Sequence, residues 1–312
     1  MTKELPVFPN FRRFNLDDTK WYYDYYLLNA LNPYADIHPA NLFIWLNINN
    51  DLMISKFNNS IIFRYTNVLN NNQINIIPIE KNVDDLVIDE IMSFLKIKNL
   101  PQEIREIPSI MCENLDSTRW VIKNDRDSYE YILNTSQQSS LEGSDFALHR
   151  KRINIFEREH CNDLVDVEYM KTITSTIKEA FLHQIDTMPL NKSIGASQNN
   201  LIEPIAIKRN LKYASTFHKQ AMVIRINGKI VSLAMFSCLD KNTVAINHLK
   251  VDYSVKHIFQ YSIYQLAKIL KDNEINEMNI EQDLGIDGLR TYKERLRPSR
   301  LLEKKIIRPR PQ

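Results

Sequence analysis

Glycine is scarce in this sequence, with five residues in a chain of 312. An average chain carries about 7% glycine, so each position that keeps one is informative. Gly285 and Gly288 lie three residues apart. Such a pair is typical of backbone that needs a positive φ or that passes close to another group. We therefore expect one of these two geometries at both positions, and we treat both glycines as candidates for binding a substrate.

Cysteine is also scarce, and long apolar runs are absent. Cys112, Cys161 and Cys238 are odd in number, scattered and in no metal-ligand spacing, which predicts reduced thiols and no metal site. No apolar run approaches the roughly 20 residues of a membrane helix, and MTKELPVFPNFRRF contains no apolar signal core. We therefore expect a cytoplasmic protein without an integral membrane segment, a prediction that still allows peripheral membrane contact.

Charge is unevenly distributed along the chain. The formal net charge is +2, yet Arg290 to Gln312 holds nine Lys or Arg against two Glu. A basic end on a mildly acidic body indicates a polyanionic partner, and a solvated basic tail is the alternative.

The first part of the chain mixes helical and strand patterns. DTKWYYDYYLLNAL has aromatic residues at helical spacing. From Asn41 to Ile79 the runs LFIWL, LMISKF, IIFRY and INIIPI are separated by Asn-rich turns, which predicts an antiparallel meander. Two helices are expected next, at about Asp84 to Leu95 and near Pro101 to Ile107, followed by a strand at RWVIKN.

The polar segment TSQQSSLEGSDF predicts a domain boundary. We expect one domain at residues 1–140 and a second, catalytic domain at 141–312. The second begins with the cationic helix SDFALHRKRINIFEREH. In the centre of the second domain, Asn227-Gly228 between two apolar runs predicts a hairpin with a type I′ turn. Further helices are predicted at Tyr169 to Ile185, Leu201 to Phe217 and Val255 to Lys271.

The stretch NIEQDLGIDGLRTYKERLRPSR has the richest chemistry. Strand alternation would place Glu281 and Asp283 on one face, and Asp287 would cap a helix that carries Arg290 and Lys293. A helix N-terminus beside cations favours anions, while the carboxylates suit a substrate ammonium or a proton transfer. Alternatively, the stretch is a strand, a turn and a helix joined by surface ion pairs.

Two other segments supply candidates. His248 and Lys250 alternate to one face of the strand TVAINHLKV, either as a site or as structural residues. The cationic helix supplies Lys151, Arg152 and Asn154 as substrate-binding candidates, with a solvated face as the alternative. The complete prediction is a catalytic set of Asp283, Glu281, His248 and Lys250, and a substrate-binding set of Arg290, Lys293, Gly285, Gly288, Lys151, Arg152 and Asn154.

These motifs carry a resemblance that spans nearly the whole chain. LEGSDFALHRKRINIF, the hairpin and NIEQDLGIDGLRTYKERLRPSRLLEKK resemble the soluble family related to the C-terminal catalytic domain of phosphatidylglycerol lysyltransferases. FRRFNLDD, the run around Trp45 and DRDSYEY are similar to the first half of that family. INHLKVDY departs from the family pattern, because relatives often carry an acidic residue before the lysine, so the sequence leaves the identity of the acceptor open.

The resemblance implies a fold and an activity. The fold would be α/β, with two tandem GNAT-like domains whose mixed, largely antiparallel sheets are flanked by helices, and with a site in a groove or tunnel between them. The activity would be transfer of an aminoacyl group from a charged tRNA, as co-substrate and without a cofactor, to the amine or hydroxyl of a lipid, peptide or small molecule. Because an aminoacyl ester is already activated, the lack of an obvious Ser-His or Cys-His arrangement is no objection.

Two other classes stay open. One is a GNAT N-acyltransferase that uses acyl-CoA. Such enzymes usually have a Gly-rich pyrophosphate loop, whereas the corresponding turn here, VDYSVKHIFQ, has no glycine. The other is a non-catalytic protein that binds an anionic ligand.

Overall fold

The chain forms two compact units. The computed structural model describes residues 4–29, 31, 33–47, 50–67, 73–187 and 199–311. The first unit comprises Met1–Glu130, Gln282–Ile286 and Leu302–Gln312, and the second comprises Tyr131–Glu281 and Asp287–Leu301. A single division between residues 140 and 141 does not describe these units, because the chain enters the second unit at Tyr131 and later contributes two segments to the first.

Helices and strands follow one another in mixed order along the chain. In order they are β1 (Arg12–Arg13), α1 (Asp18–Leu28), α2 (Pro39–Asn41), β2 (Met53–Phe57), β3 (Ser60–Asn67), β4 (Gln73–Ile79), α3 (Asp85–Ile97), β5 (Ile104–Pro108), β6 (Trp120–Asn124), β7 (Glu130–Asn134), α4 (Thr135–Ser140), α5 (Ala147–Glu159), β8 (Val165–Met170), α6 (Ser175–Thr187), α7 (Asn199–Lys212), β9 (Gln220–Ile226), β10 (Lys229–Cys238), β11 (Thr243–Val251), α8 (Ile258–Asp272), β12 (Glu277–Gln282), α9 (Asp287–Arg295), β13 (Arg300–Leu302) and β14 (Lys304–Pro309).

The first unit is built on an antiparallel meander. β1, β2, β3 and β4 pair in that order, with Phe63 of β3 opposite Ile54 of β2 and Ile77 of β4. The predicted meander is confirmed for LMISKF, IIFRY and INIIPI. The prediction that LFIWL is a strand is wrong, because Leu42–Leu46 forms a π-helical turn. Leu42 and Ile44 are both fully buried, and an apolar run buried all round does not distinguish helix from strand.

A second sheet of the first unit has the order β5-β14-β6. Lys304 lies opposite Pro108, and Ile307 lies opposite Ile104. The helix predicted near 101–107 is therefore wrong. The partner of β5 lies about two hundred residues further along the chain, and such tertiary pairing overrides local propensity.

The second unit contains a mixed sheet. Within the described residues its order is β13-β7-β12-β11-β10-β9-β8. The predicted hairpin of β9 and β10 is confirmed: Asn227 and Gly228 have φ of 50° and 80°, the positive values that a type I′ turn requires. After β11 the chain crosses through α8 and returns as β12, parallel to β11. Tyr169 lies in β8, so the helix predicted from that residue begins instead at Ser175.

Helices cover both faces of this sheet. On one face, Phe156 of α5 and Leu266 of α8 pack with Phe236 and Met278. On the other face, Phe181 of α6 and Ile207 of α7 belong to a second core with Val223 and Met235. The two cores fix the sheet as a central layer, so polar side chains that point from it are held in place by packing on either side.

Each half of the chain contributes a strand to the other half's sheet. β7 follows β6 in sequence yet lies between β12 and β13, whereas β14 follows β13 yet lies between β5 and β6. Mixed sheets flanked by helices confirm the predicted fold class of tandem mixed α/β domains with largely antiparallel sheets. In the part of the chain that the structure describes, no helix has the length and apolar character needed to cross a membrane.

Candidate active site

The parallel strands β11 and β12 diverge at one end. Their pairing runs from Thr243 opposite Glu277 to Ala245 opposite Asn279. Beyond that point β11 continues to Val251 and β12 to Gln282. The carboxyl ends of parallel strands are where α/β sheets commonly open a ligand crevice, so side chains beyond the divergence are candidates for chemistry.

A β-bulge in β11 aims two polar side chains to the same side. Met235 lies opposite His248 while the next residue, Phe236, lies opposite Ile246, so Asn247 is the extra residue. Bulges commonly re-aim side chains beside active sites. Here Asn247 contacts Lys219, and His248 contacts Asn210 of α7. Both therefore point to the face of the sheet that α7 covers.

A row of polar side chains crosses three neighbouring strands at this end and includes the residue that precedes a fourth. The Nζ atom of Lys219, just before β9, donates to Asn247 Oδ1 at 2.7 Å and to Ser237 Oγ of β10 at 3.2 Å. Asn247 Nδ2 then donates to Glu281 Oε1 of β12 at 3.3 Å. We call Lys219, Ser237, Asn247 and Glu281 the polar row. It joins a cation to a carboxylate through one amide.

Lys219 is the buried cation of the polar row. Its residue is 1% exposed, and burial lowers the pKa of Lys219 to about 7, against the opposing effect of Glu281. Sequence reasoning missed Lys219, Ser237 and Asn247, because the bulge and the strand order that unite them are not visible in local patterns. The available signal was a lysine directly before the apolar run QAMVIRI.

Glu281 and Asp283 do not form the pair that alternation predicted. Glu281 has a φ of 58°, which interrupts the extended geometry on which alternation depends. Its backbone N–H donates to Asn279 Oδ1 at 2.8 Å, and its half-buried carboxylate ends the polar row in the second unit. Asp283 has its partners in the first unit.

Asp283 is fully buried and holds a tight turn. Its Oδ2 lies 3.0 Å from Nη1 of Arg126, and its Oδ1 accepts from the backbone N–H of Gly285 at 2.9 Å. Gly285 has a φ of 70°, and a Cβ there would lie 2.9 Å from Cγ of Asp127. Both reasons expected for a glycine therefore apply at Gly285. The catalytic role of Asp283 stays a prediction.

His248 and Lys250 lie on one face of β11, as alternation predicted. Nδ2 of Asn210 is 2.9 Å from Nε2 of His248, and Lys250 forms a 2.6 Å ion pair with Glu203 of α7. Burial lowers the pKa of His248 well below its usual value, and the charges of Lys250 and Lys219 add to the effect. His248 is therefore neutral at neutral pH. Catalytic roles for both residues stay predictions.

Lys293 of α9 fastens the helix to the end of β12. It is 7% exposed and donates to the carbonyl oxygens of Ile280 and Glu281, the latter at 3.0 Å. It therefore fixes the backbone from which the Glu281 carboxylate extends. Gly288 lies in the first turn of α9, and Arg290 is half-buried on the same helix. Phosphate binding by Arg290 and Lys293 stays a prediction.

The consecutive cations of α5 divide between two sides of the helix. Arg152 is half-buried on the side where it helps burial to lower the pKa of His149 and of His257. The opposite stripe forms an open surface groove, which we call the α5 groove. Its lining residues are Ala147, Arg150, Lys151, Asn154, Ile155 and Arg158. The structure thus brings Lys151 and Asn154 together and separates Arg152 from them.

A buried charge cluster lies in the first unit. Lys304 of β14 is 0% exposed and forms ion pairs with Asp36 and with Glu130, the latter at 2.7 Å. Burial alone would lower the pKa of Lys304, but the two carboxylates raise it above its usual value. Burial raises the pKa of Asp36 well above its usual value, with Lys304 opposing the shift and Glu130 adding to it.

The family of the chain follows from its sequence profile. The family described as phosphatidylglycerol lysyltransferase, C-terminal, matches residues 39–307, which is more than half of the chain. The chain therefore belongs to this family, and the resemblance drawn from the closing motif is confirmed. The family is one of transferases. No curated protein matches the chain closely enough to serve as a relative.

Solved structures resemble the chain over nearly its full length. A conserved protein of unknown function from Bacteroides thetaiotaomicron has a TM-score of 0.81 at 20% identity, covering 98% of this chain and 100% of that one. The L-PGS structure from Bacillus licheniformis has a TM-score of 0.58 at 13% identity, covering 98% and 94%. A DUF2156 domain from Agrobacterium fabrum, described as the C-terminal domain of a lysylphosphatidylglycerol synthetase, has a TM-score of 0.53 at 11% identity, covering 93% and 92%. At these identities the likeness shows the fold alone.

Proposed function

We propose that this chain is an aminoacyltransferase that moves an aminoacyl group from a charged tRNA to an acceptor hydroxyl or amine. The observation that carries the proposal is the polar row, which ends in Glu281 where β11 and β12 diverge. The family described for phosphatidylglycerol lysyl transfer supports the reaction class and favours a lipid acceptor over a peptide or small molecule.

The reaction requires little covalent chemistry from the protein itself. The acceptor oxygen or nitrogen attacks the ester carbonyl carbon, the new C–O or C–N bond forms, and the bond to the ribose oxygen of the tRNA breaks. The acceptor loses a proton and the leaving ribose oxygen gains one. The protein therefore has to position the substrates, transfer a proton and stabilise the oxyanion. Glu281 supplies the proton acceptor, with Asn247 and Lys293 fixing its side chain and its backbone.

The donor side needs a surface for phosphates. The α5 groove presents Arg150, Lys151 and Arg158 along one stripe, and cations so arranged suit the backbone of an RNA acceptor stem. Arg150 also donates to the carbonyl oxygen of Gly143 at 2.7 Å, which ties the groove to the loop before α5.

A donor-choice assay tests the proposal. The purified chain is given a mixture of tRNAs charged with radiolabelled amino acids together with phosphatidylglycerol vesicles, and in parallel labelled acetyl-CoA with amine acceptors. We expect label in the lipid fraction from charged tRNA alone, and ribonuclease treatment of the donor should abolish it. Transfer only from acetyl-CoA would assign the chain to the N-acyltransferases. Binding of tRNA without any transfer would instead indicate a non-catalytic protein.

A further inference from the structure

The side chain of Asn247 is oriented by its neighbours. A lysine ammonium carries only donors, so the atom of Asn247 that faces Lys219 at 2.7 Å must be the amide oxygen. Ser237 Oγ lies 3.2 Å from the same oxygen. The Nδ2 group is consequently the one that faces Glu281. The charge on Lys219 thus decides which end of the amide meets the carboxylate.

A neutral lysine would remove that constraint. A neutral amine has a lone pair that accepts a hydrogen bond, so the amide could turn and place its oxygen against the Glu281 carboxylate, where two acceptors repel each other. Among the described residues, two titratable groups face Lys219. Glu281 on β12 favours the ammonium. His248 on β11 is neutral, because burial lowers its pKa first and the charges of Lys250 and Lys219 lower it further. Just after α7, the carbonyl oxygen of Ala214 accepts from the backbone N–H of Lys219.

We propose that Lys219 is a positioning residue for the transfer reaction: as an ammonium it holds Asn247 in the orientation that donates to Glu281. This inference rests on the proposed function, in which Glu281 accepts the proton. Lys219 itself is buried and need not touch substrate. Its pKa of about 7 places the loss of the ammonium in the neutral range, so kcat should fall as pH rises through that value while KM changes little.

The first test is independent of turnover. In the full-length protein, the ¹³Cε signal of Lys219 and the side-chain amide signals of Asn247 are followed by NMR from pH 5.5 to 9. We expect both to change with one midpoint near 7, and Glu281→Gln should lower that midpoint because it removes the charge that favours the ammonium. A Lys219 titration that leaves the Asn247 signals in place would overturn the inference, and so would a midpoint unmoved by Glu281→Gln.

The second test is the pH profile of transfer. Lys219→Met should lower kcat about tenfold at pH 6.5, leave KM within about twofold and abolish the decline above pH 7. Lys219→Arg, which keeps the charge, should recover part of kcat and hold it to higher pH. Lys271→Met, at an exposed position of α8, is the matched control and should behave as wild type. A Met variant that keeps the wild-type decline would contradict the inference, and this comparison stands even if the bulkier Arg does not fold.

The two tests separate the inference from the function on which it rests. Coupled NMR titrations in a protein that transfers nothing from any charged tRNA would remove the proposed function and leave the orientation of Asn247 by Lys219 supported. Turnover from charged tRNA with uncoupled titrations would keep the function and reject Lys219 as a positioning residue.

Discussion

Lys219 links the stability of the second unit to pH. Its pKa is about 7 in the folded chain against a usual 10.5. Between these two values the unfolded chain binds a proton that the folded chain does not, so the free energy of unfolding rises with pH. The slope from this one group is about 1.4 kcal/mol per pH unit, and below pH 7 the full penalty of burying the ammonium is present.

The first prediction follows from this rise of the free energy of unfolding with pH. Lys219→Met should lose this increase in stability between pH 7 and 9, because the variant has no proton to release on folding. The measurement is urea unfolding at pH 6.5, 8 and 9 for wild type, Lys219→Met and the exposed-site control Lys271→Met. Parallel pH dependences for all three proteins would mean that Lys219 is not perturbed as the structure indicates.

The second prediction concerns Asp283, which the sequence placed in the catalytic set. Its buried ion pair with Arg126, a side chain 32% exposed, should make Asp283→Asn lose about 1 to 3 kcal/mol of unfolding free energy. Arg126→Gln removes the same pair from the other side and should lose a similar amount. Transfer is then measured at a temperature where both variants are fully folded. A hundredfold loss in Asp283→Asn alone would establish the catalytic role predicted from sequence.

The sequence predicts the conformation or orientation of a single residue well where it depends on neighbouring residues in the chain. Gly285 has the positive φ and the close neighbour that the scarcity of glycine suggested, and His248 and Lys250 share a face as period-2 alternation required. Asn247 could not be found in this way, because its role depends on a bulge defined by the register of β10 against β11.

Some elements of the fold are likewise predictable from local sequence, and others are not. The Asn227-Gly228 hairpin is specified by adjacent residues and was predictable. Local patterns predict a helix where β5 lies, because they do not reveal its partner β14 at the far end of the chain. The exchange of β7 and β14 between the halves of the chain leaves no periodic signal either, so the composition of the two units could not be derived from local patterns.

The third prediction tests β14 through Lys304. Lys304→Met leaves Asp36 and Glu130 without their cation, and removing one partner of a buried pair costs about 3 to 5 kcal/mol. The loss should be smaller at pH 5 than at pH 8, because protonation neutralises the stranded carboxylates. Chemical unfolding at the two pH values measures it. Lys305→Met, on the same strand but 21% exposed, is the control. Equal losses of unfolding free energy in both variants would contradict a special role for the buried charge of Lys304.

The fourth prediction tests the α5 groove. Lys151→Glu combined with Arg158→Glu should weaken tRNA binding and reduce the slope of log affinity against log salt by roughly 1 to 2, since each lost phosphate contact contributes about 0.7 to 0.9. Lys268→Glu with Lys271→Glu on α8 makes the same change in net charge away from the groove and should leave the slope unchanged. Filter binding of one purified tRNA at four salt concentrations distinguishes a phosphate-binding groove from a solvated helix face.

At the scale of the molecule, the long closing motif determines the class. The motif NIEQDLGIDGLRTYKERLRPSR was specific enough to place the chain in its family, and the family in turn gave the tandem fold that the structure confirms. The site was predicted only in part. Glu281 came from the motif, while its partners across the sheet came from the structure, because they are brought together by strand order.

The central claim is that Glu281, at the end of the polar row, accepts the proton during aminoacyl transfer. The most direct measurement is the single-turnover rate of transfer from charged tRNA for wild type and Glu281→Gln, with Glu277→Gln at the other end of β12 as control. We predict that Glu281→Gln falls at least a hundredfold, within the range of a lost general base, while its melting temperature stays within a few degrees of wild type. An unchanged rate, or a rate that falls only with the folded fraction, would contradict the account.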